Sequence, residues 1–136
     1  MLSDAAGLSL VVAVSAANVH DSRALKPLFM ALPTIRSRRG PRRRRPVKAR
    51  ADKAYHSAEH LAWLPGRGIV PRIARPGIDS GERLGRYRWK IERTLAWLFG
   101  YRRLTVRYER HGHLFNAFLT LAAAITCYKK LAKLST

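Results

Sequence analysis

Residues 8–14 run Leu-Ser-Leu-Val-Val-Ala-Val, a nearly continuous β-branched and apolar stretch. A strand with one wet face would alternate; this one does not, so it predicts a strand covered on both faces, in a sheet with helices on both sides. Asp4-Ala5-Ala6-Gly7 reads as a tight turn, which makes the first residues the tail of a preceding hairpin strand. After Asn18-Val19-His20-Asp21-Ser22, the residues Leu25, Leu28, Phe29 and Leu32 recur at helical spacing, with Asp21 or Ser22 as N-cap and Pro33 beyond the end. Residues 36–48 have no hydrophobic period and carry Gly40, Pro41 and Pro46, which predicts an exposed, mobile basic linker.

Residues 47–51 read as a short strand that delivers Asp52 at its C-terminal end, followed by a brief helix from Ser57 that Pro65 and Gly66 stop. Residues 69–74 read as another strand, at a sheet edge because Pro71 has no amide to donate. Gly77, Gly81 and Gly85 mark residues 76–85 as a loop. Helical periodicity returns over 84–99: Leu84, Ile91, Leu95 and Leu98 form an apolar stripe, Arg86, Lys90 and Arg93 the opposite face, and Glu92 lies at the border. A last helix over 114–131 is apolar nearly all round, as suits packing on the back of the core or on a partner.

Composition adds a partner to this outline. With 136 residues, 47% of them hydrophobic, the chain predicts one folded domain. Its 27 Lys and Arg against 8 Asp and Glu, a formal net charge of +19, exceed what solubility requires and point to a polyanion, nucleic acid before membrane. The single Cys127 excludes an internal disulfide and a metal-binding cysteine set, and reads as a buried structural thiol in a reducing compartment. Asp4 stands before the first apolar stretch with no basic leader, and the stretch 114–128 is shorter than a membrane span. The expected location is cytoplasmic and nucleoid-associated.

Against so much base, each acid needs an explanation. Asp52 at a strand end stands where functional groups gather in α/β sheets, although an Asp there also commonly just starts the next turn. Glu92 follows Arg88 by one helical turn, which fits an i,i+4 ion pair and also a helix-border carboxylate able to reach a metal. Two such carboxylates can hold Mg²⁺, which keeps waters and phosphate oxygens for its remaining ligands. His56 and His60 have zinc-compatible spacing but no further ligand nearby, and read as solvent-exposed. Tyr87, Trp89, Trp97, Tyr101 and Tyr108 interleave with arginines; stacking on unpaired bases is one use for them, but core packing is expected for all except Trp89.

Asp52-Lys53-Ala54-Tyr55, Gly68-Ile69-Val70-Pro71, the run from Arg86 to Leu98, Tyr101-Arg102-Arg103-Leu104, Arg107-Tyr108-Glu109 and Asn18-Val19-His20-Asp21-Ser22 together resemble the C-terminal part of DDE-class transposases of bacterial insertion sequences. The resemblance implies an α/β fold, an RNase H-like mixed sheet flanked by helices. It also implies an Asp-Asp-Glu triad binding two Mg²⁺ or Mn²⁺ ions, and strand cleavage and transfer at the element's ends. By motif match Asp52 is the second acid and Glu92 the third. Arg88 becomes a phosphate contact, and Lys53, Arg93, Arg42, Arg43, Arg44, Arg45, Arg102 and Arg103 complete the expected DNA-binding set. The implied partners are terminal inverted repeats, target DNA and a second copy in a homodimer.

The match departs from the family in two places. Gly85 and Phe99 stand where the family tends to have Tyr and Lys. The family's first acid has no counterpart: Asp4 reads as a turn residue and Asp21 as a helix cap. The expectation is therefore a domain lacking the first strand and most of the second, completed by an upstream fragment or else decayed. A non-catalytic basic DNA-binding remnant is the alternative, and a ribosome-associated basic protein a blander third.

Overall fold

The N-terminal residues form a turn that a helix closes. In the computed structural model, which describes residues 1–36, 39–78 and 81–135 with backbone alone for 81–86, strands β1 (Leu2–Ser3) and β2 (Ser9–Val11) form an antiparallel hairpin. Asp4 is the turn residue its sequence suggests: Oδ1 accepts from the amides of Ala6 (2.9 Å) and Leu8 (2.8 Å). Gly7 takes φ +87°, a conformation that glycine alone adopts without cost. The turn's carbonyls then face helix α3 (Gly81–Phe99). Lys90 Nζ donates to Ala5 O at 2.8 Å, Arg93 Nη2 to Ala6 O at 2.7 Å, and the Thr94 hydroxyl lies within bonding reach of both Gly7 O and Lys90 O.

That closure corrects the helix orientation expected from hydrophobicity. Among the described side chains of α3, Thr94 and Leu98 are buried, Lys90, Arg93 and Trp97 are half-buried, and Ile91 and Leu95 of the expected apolar stripe are exposed. The face of α3 that meets the turn is the one that supplies these three bonds to its carbonyls. The helix also starts at Gly81, within the stretch expected to be a loop; Asp79 and Ser80 of that loop, and the side chains of Leu84 and Arg86, lie outside the described residues.

Two compact units result, Met1–Ala16 with Tyr87–Thr136, and Ala17–Arg86. In the first, short helix α4 (Arg102–Thr105) and long helix α5 (Gly112–Leu134) complete a core of Leu98, Leu104, Ala122 and Ala123. Met1, Val12, Tyr101, Phe115, Phe118 and Leu119 pack around it. Strand β2 is shorter than the residue 8–14 run, because its partner β1 has only two residues and residues 13–18 are exposed. Cys127 is half-buried with its thiol 3.5 Å from Ser9 O, and burial pushes its pKa up.

The second unit is a βαβ arrangement. Strands β3 (Lys48–Ala51) and β4 (Val70–Ile73) pair in parallel, joined by α2 (Ala58–Gly66), which Ser57 caps through its side chain on His60 N. With only two strands, both are edges, so Pro71 sits where its missing amide costs no ladder bond. Helix α1 (Leu25–Met30) follows a 3₁₀ turn, Asp21–Ala24, whose cap is His20 rather than Asp21 or Ser22: Nδ1 accepts from Ser22 N at 3.2 Å. The core is Leu25, Ala49, Leu64, Ile69 and Ile73. His60 is buried rather than exposed, because Nδ1 meets Tyr55 O at 2.8 Å and so repays its desolvation.

The described strands therefore make two separate two-stranded sheets in a mixed α/β chain with several helices. The β3–β4 sheet is covered on one face only: Ala49 and Ile73 are buried, whereas Lys48, Arg50, Val70 and Arg72 are exposed. Gly7→Ala tests the turn most simply. The added Cβ would stand 3.0 Å from Thr94 Oγ1 and hold a positive φ; the expected loss in urea denaturation is about 2 kcal/mol.

Candidate active-site acids and basic surface

Asp52 directly follows β3 and caps the 3₁₀ turn Lys53–Tyr55, its Oδ1 accepting from Lys53 N at 2.6 Å. The carboxylate is exposed, as is the Lys53 side chain. One backbone bond fixes the acid at the strand end and leaves a solvent-facing oxygen for other work. Tyr55, half-buried, has its pKa raised by burial and then by the charges of Asp21 and Asp52.

Glu92 stands on the outward side of α3. Arg88 Nε donates to Glu92 Oε1 at 2.9 Å, with side chains 75% and 61% exposed, so this is a solvated i,i+4 pair worth a few tenths of a kcal/mol. An acid held so weakly can exchange its partner at little cost. Ile91 and Leu95 beside it are exposed, so the surface that carries Glu92 is half charged and half apolar. Asp52 and Glu92 belong to different units. Among the described residues, no three His, Cys, Asp or Glu side chains gather into a group able to hold an ion.

Of the basic candidates, Arg42, Arg43, Arg44 and Arg45 are exposed and line an open cavity with Thr34. The segment is less free than its composition suggests. Ile35 and Arg43 exchange backbone bonds of 2.8 and 2.9 Å, Arg44 Nε donates to Thr34 Oγ1 at 2.9 Å, and Arg45 Nη1 to Arg67 O at 3.1 Å. Ser37 and Arg38 lie outside the described residues. Arg93 is engaged by the hairpin turn and stacks on Trp89 (4.6 Å) and Trp97 (4.7 Å). Arg103 pairs with buried Glu109 at 2.7 Å and lies over Phe118 at 4.9 Å, while Arg102 is exposed.

The aromatic residues divide differently from the expectation. Trp89 is 47% exposed, as foreseen, but Tyr87 and Tyr108 are exposed as well; Trp97 and Tyr101 are half-buried, Lys130 standing 3.9 Å over the Trp97 ring. Lys48, Arg50 and Arg72, which sequence reasoning passed over as strand residues, share the open face of the β3–β4 sheet. The alternation Lys-Ala-Arg-Ala was the available signal.

A family model described as the transposase DDE domain matches residues 1–127. The chain belongs to the DDE transposase family. A putative transposase for insertion sequence element IS402 from Burkholderia cepacia is 41% identical over 133 residues, covering 98% of this transposase-family chain and 63% of the relative. The chain thus spans less than two thirds of that relative's length. No solved structure matches. No described helix of this transposase chain is long and apolar enough to cross a membrane.

Two expectations follow from the ion pairs. Glu92→Gln shifts denaturation by less than about 0.5 kcal/mol, because the Arg88 pair is solvated. Glu109 behaves differently: its hydrogen bond from Arg103 lowers its pKa, so the stability this pair supplies is present at neutral pH and is lost as the pH falls through the depressed value. Acid titration of the melting temperature checks this, and Glu109→Gln flattens the profile below the usual carboxylate range.

Proposed function

We propose that the chain is the catalytic-domain portion of an insertion-sequence transposase that binds DNA and supports metal-dependent strand cleavage and transfer, with an RNase H-like fold once complete. The observation that carries this is the coincidence of family and exposure. Within the residues 1–127 that match the DDE domain, the two acids that fit the family motif, Asp52 and Glu92, are both turned to solvent and only lightly engaged.

Their donor chemistry suits Mg²⁺ or Mn²⁺: hard, exposed carboxylate oxygens that leave room for water and phosphate ligands. Such ions, when bound, activate an attacking oxygen and neutralise the leaving one at phosphorus. Asp52 and Glu92 supply anionic oxygens. Arg88 can move from Glu92 to a phosphate at the cost of one solvated ion pair, and Lys53 presents an ammonium beside Asp52. Arg42 to Arg45, Arg102 and the Lys48, Arg50 and Arg72 sheet face hold the DNA backbone by charge.

Two acids do not make the family's triad. Asp4 is committed to the hairpin turn and Asp21 opens the 3₁₀ turn beside Tyr55. The proposal therefore includes a third carboxylate from polypeptide outside these 136 residues, upstream in the family's order, with a homodimer as the active form acting on terminal inverted repeats and target DNA. The second reading is a basic DNA-binding remnant without catalysis, favoured by the absence of a three-acid group among the described residues.

Asp52→Asn and Glu92→Gln in the completed transposase separate the readings. Each should lower Mg²⁺-dependent nicking of terminal-repeat DNA by at least about a hundredfold and leave filter binding within about twofold. Undiminished nicking would overturn the acid assignment. Salt titration tests the basic surface: neutralising about 6 phosphates gives a log–log slope of about −5, which alanine at Arg42, Arg43, Arg44 and Arg45 makes shallower by about 3 to 4.

A further inference from the structure

Helix α5 is apolar on two sides. Its inward side buries Ala122, Ala123 and Thr126. Its outward side carries Leu114, Ala117, Leu121, Ala124, Tyr128 and Leu131, every one exposed, with Leu114 at 44%, Leu121 and Leu131 at 54% and Tyr128 at 74%. These six positions alternate in steps of three and four, the 3.5-residue period of a seam between two helices. Isolated exposed aliphatics are ordinary, but a heptad run of them, about 26 Å long at 1.5 Å per residue, is not.

The order of large and small residues along the stripe says what covers it. When the stripe is laid antiparallel on a copy of itself, with the two-fold axis between Ala122 and Ala123, Leu121 meets the other copy's Ala124, Ala117 meets Tyr128, and Leu114 meets Leu131. Two of the three layers set a large side chain against an alanine, the complementarity that lets helices approach closely and fill the space between them. A parallel pairing would put leucine on leucine and alanine on alanine, leaving gaps in the alanine layers. Charge favours the same choice. Lys129, Lys130 and Lys133 cluster near the C-terminal end of α5, and antiparallel packing sets them beside residues 112–116, which carry no Lys or Arg. Parallel packing would set lysines on lysines. Beside Leu121, a small groove lined by Tyr101, Leu104, Phe118 and Ile125, with Arg102 and Arg103 at it as well, gives a side chain of the second copy a place to seat.

We propose that α5 pairs antiparallel with α5 of a second copy through Leu114, Ala117, Leu121, Ala124, Tyr128 and Leu131. This names a surface for the homodimer in the proposed function, and rests on that reading only for the existence of a second copy. The test uses nuclease-treated full-length chain at about 0.5 M salt, where a screening length of about 4 Å suppresses both DNA bridging and mutual repulsion. Sedimentation equilibrium should give a dimer, and Leu121→Glu should weaken it about a hundredfold or more while the thermal melt of the monomer is unchanged. In a Cys127→Ser background, Leu121→Cys combined with Ala124→Cys should form an intermolecular disulfide on mild oxidation, whereas neither single variant should.

Cross-linking by Leu121→Cys alone would overturn the antiparallel register. A dimer that survives Leu121→Glu and gives no cross-link would overturn the surface and leave dimerisation standing; a monomer throughout would overturn both. If Leu121→Glu lowered the melt of a monomer, the stripe would be covered by the chain itself, which also overturns the proposal.

Discussion

The closure of the Ala5–Gly7 turn by α3 is the constraint on which the first unit rests. Three carbonyls that a bare hairpin turn would leave to water accept from Lys90, Arg93 and Thr94, residues more than eighty positions away in the chain. Each bond is worth about 1 kcal/mol net, and only the buried one, from Thr94 to Gly7 O, would cost more than that to leave unmet. The set fixes α3 about its own axis. Because residues 90, 93, 94, 97 and 98 face inward, residues 88, 91, 92 and 95 must face outward. Glu92 is therefore presented to solvent by a decision made at the hairpin, and the apolar stripe alone would have rotated the helix otherwise.

This explains what was and was not legible in the sequence. Local signals were readable wherever short-range chemistry decides: the Asp4 turn, the Ser57 cap, the strand ending at Ala51 and the stop near Pro65 and Gly66. Pro71 on an edge followed from one missing donor. The facing of α3 was not readable, because Lys90, Arg93 and Thr94 look like a solvated helix face until their distant carbonyl partners are known. His60 misled for the same reason: its burial depends on Tyr55 O, a backbone atom that no side-chain pattern reveals. Length limited the first strand, since an apolar run pairs only as far as its neighbour extends.

The candidate acids divide along the same line. Asp52 was legible because its position is local, one residue past a strand end, and it has the capping role that any Asp there would take. That role does not compete with metal binding, since it engages one carboxylate oxygen. Glu92 was legible as a border residue, but the reason that it is free to act, the inward turn of its basic neighbours, lay in the tertiary structure. The basic surface was legible as charge and not as shape: Arg42 to Arg45 are exposed as composition demands, yet Arg93 and Arg103 serve the protein's own carbonyls, rings and carboxylates.

The central proposal is that Asp52 and Glu92 are divalent-ion ligands of a DDE transposase. Iron-mediated backbone cleavage addresses it directly. Fe²⁺ is substituted for Mg²⁺ in the presence of terminal-repeat DNA, hydroxyl radicals are generated with ascorbate and peroxide, and the cut peptides are mapped by mass. The account predicts cuts clustered around both Asp52 and Glu92, suppressed by excess Mg²⁺. Cleavage at one acid without the other, or cuts that Mg²⁺ does not suppress, would contradict it.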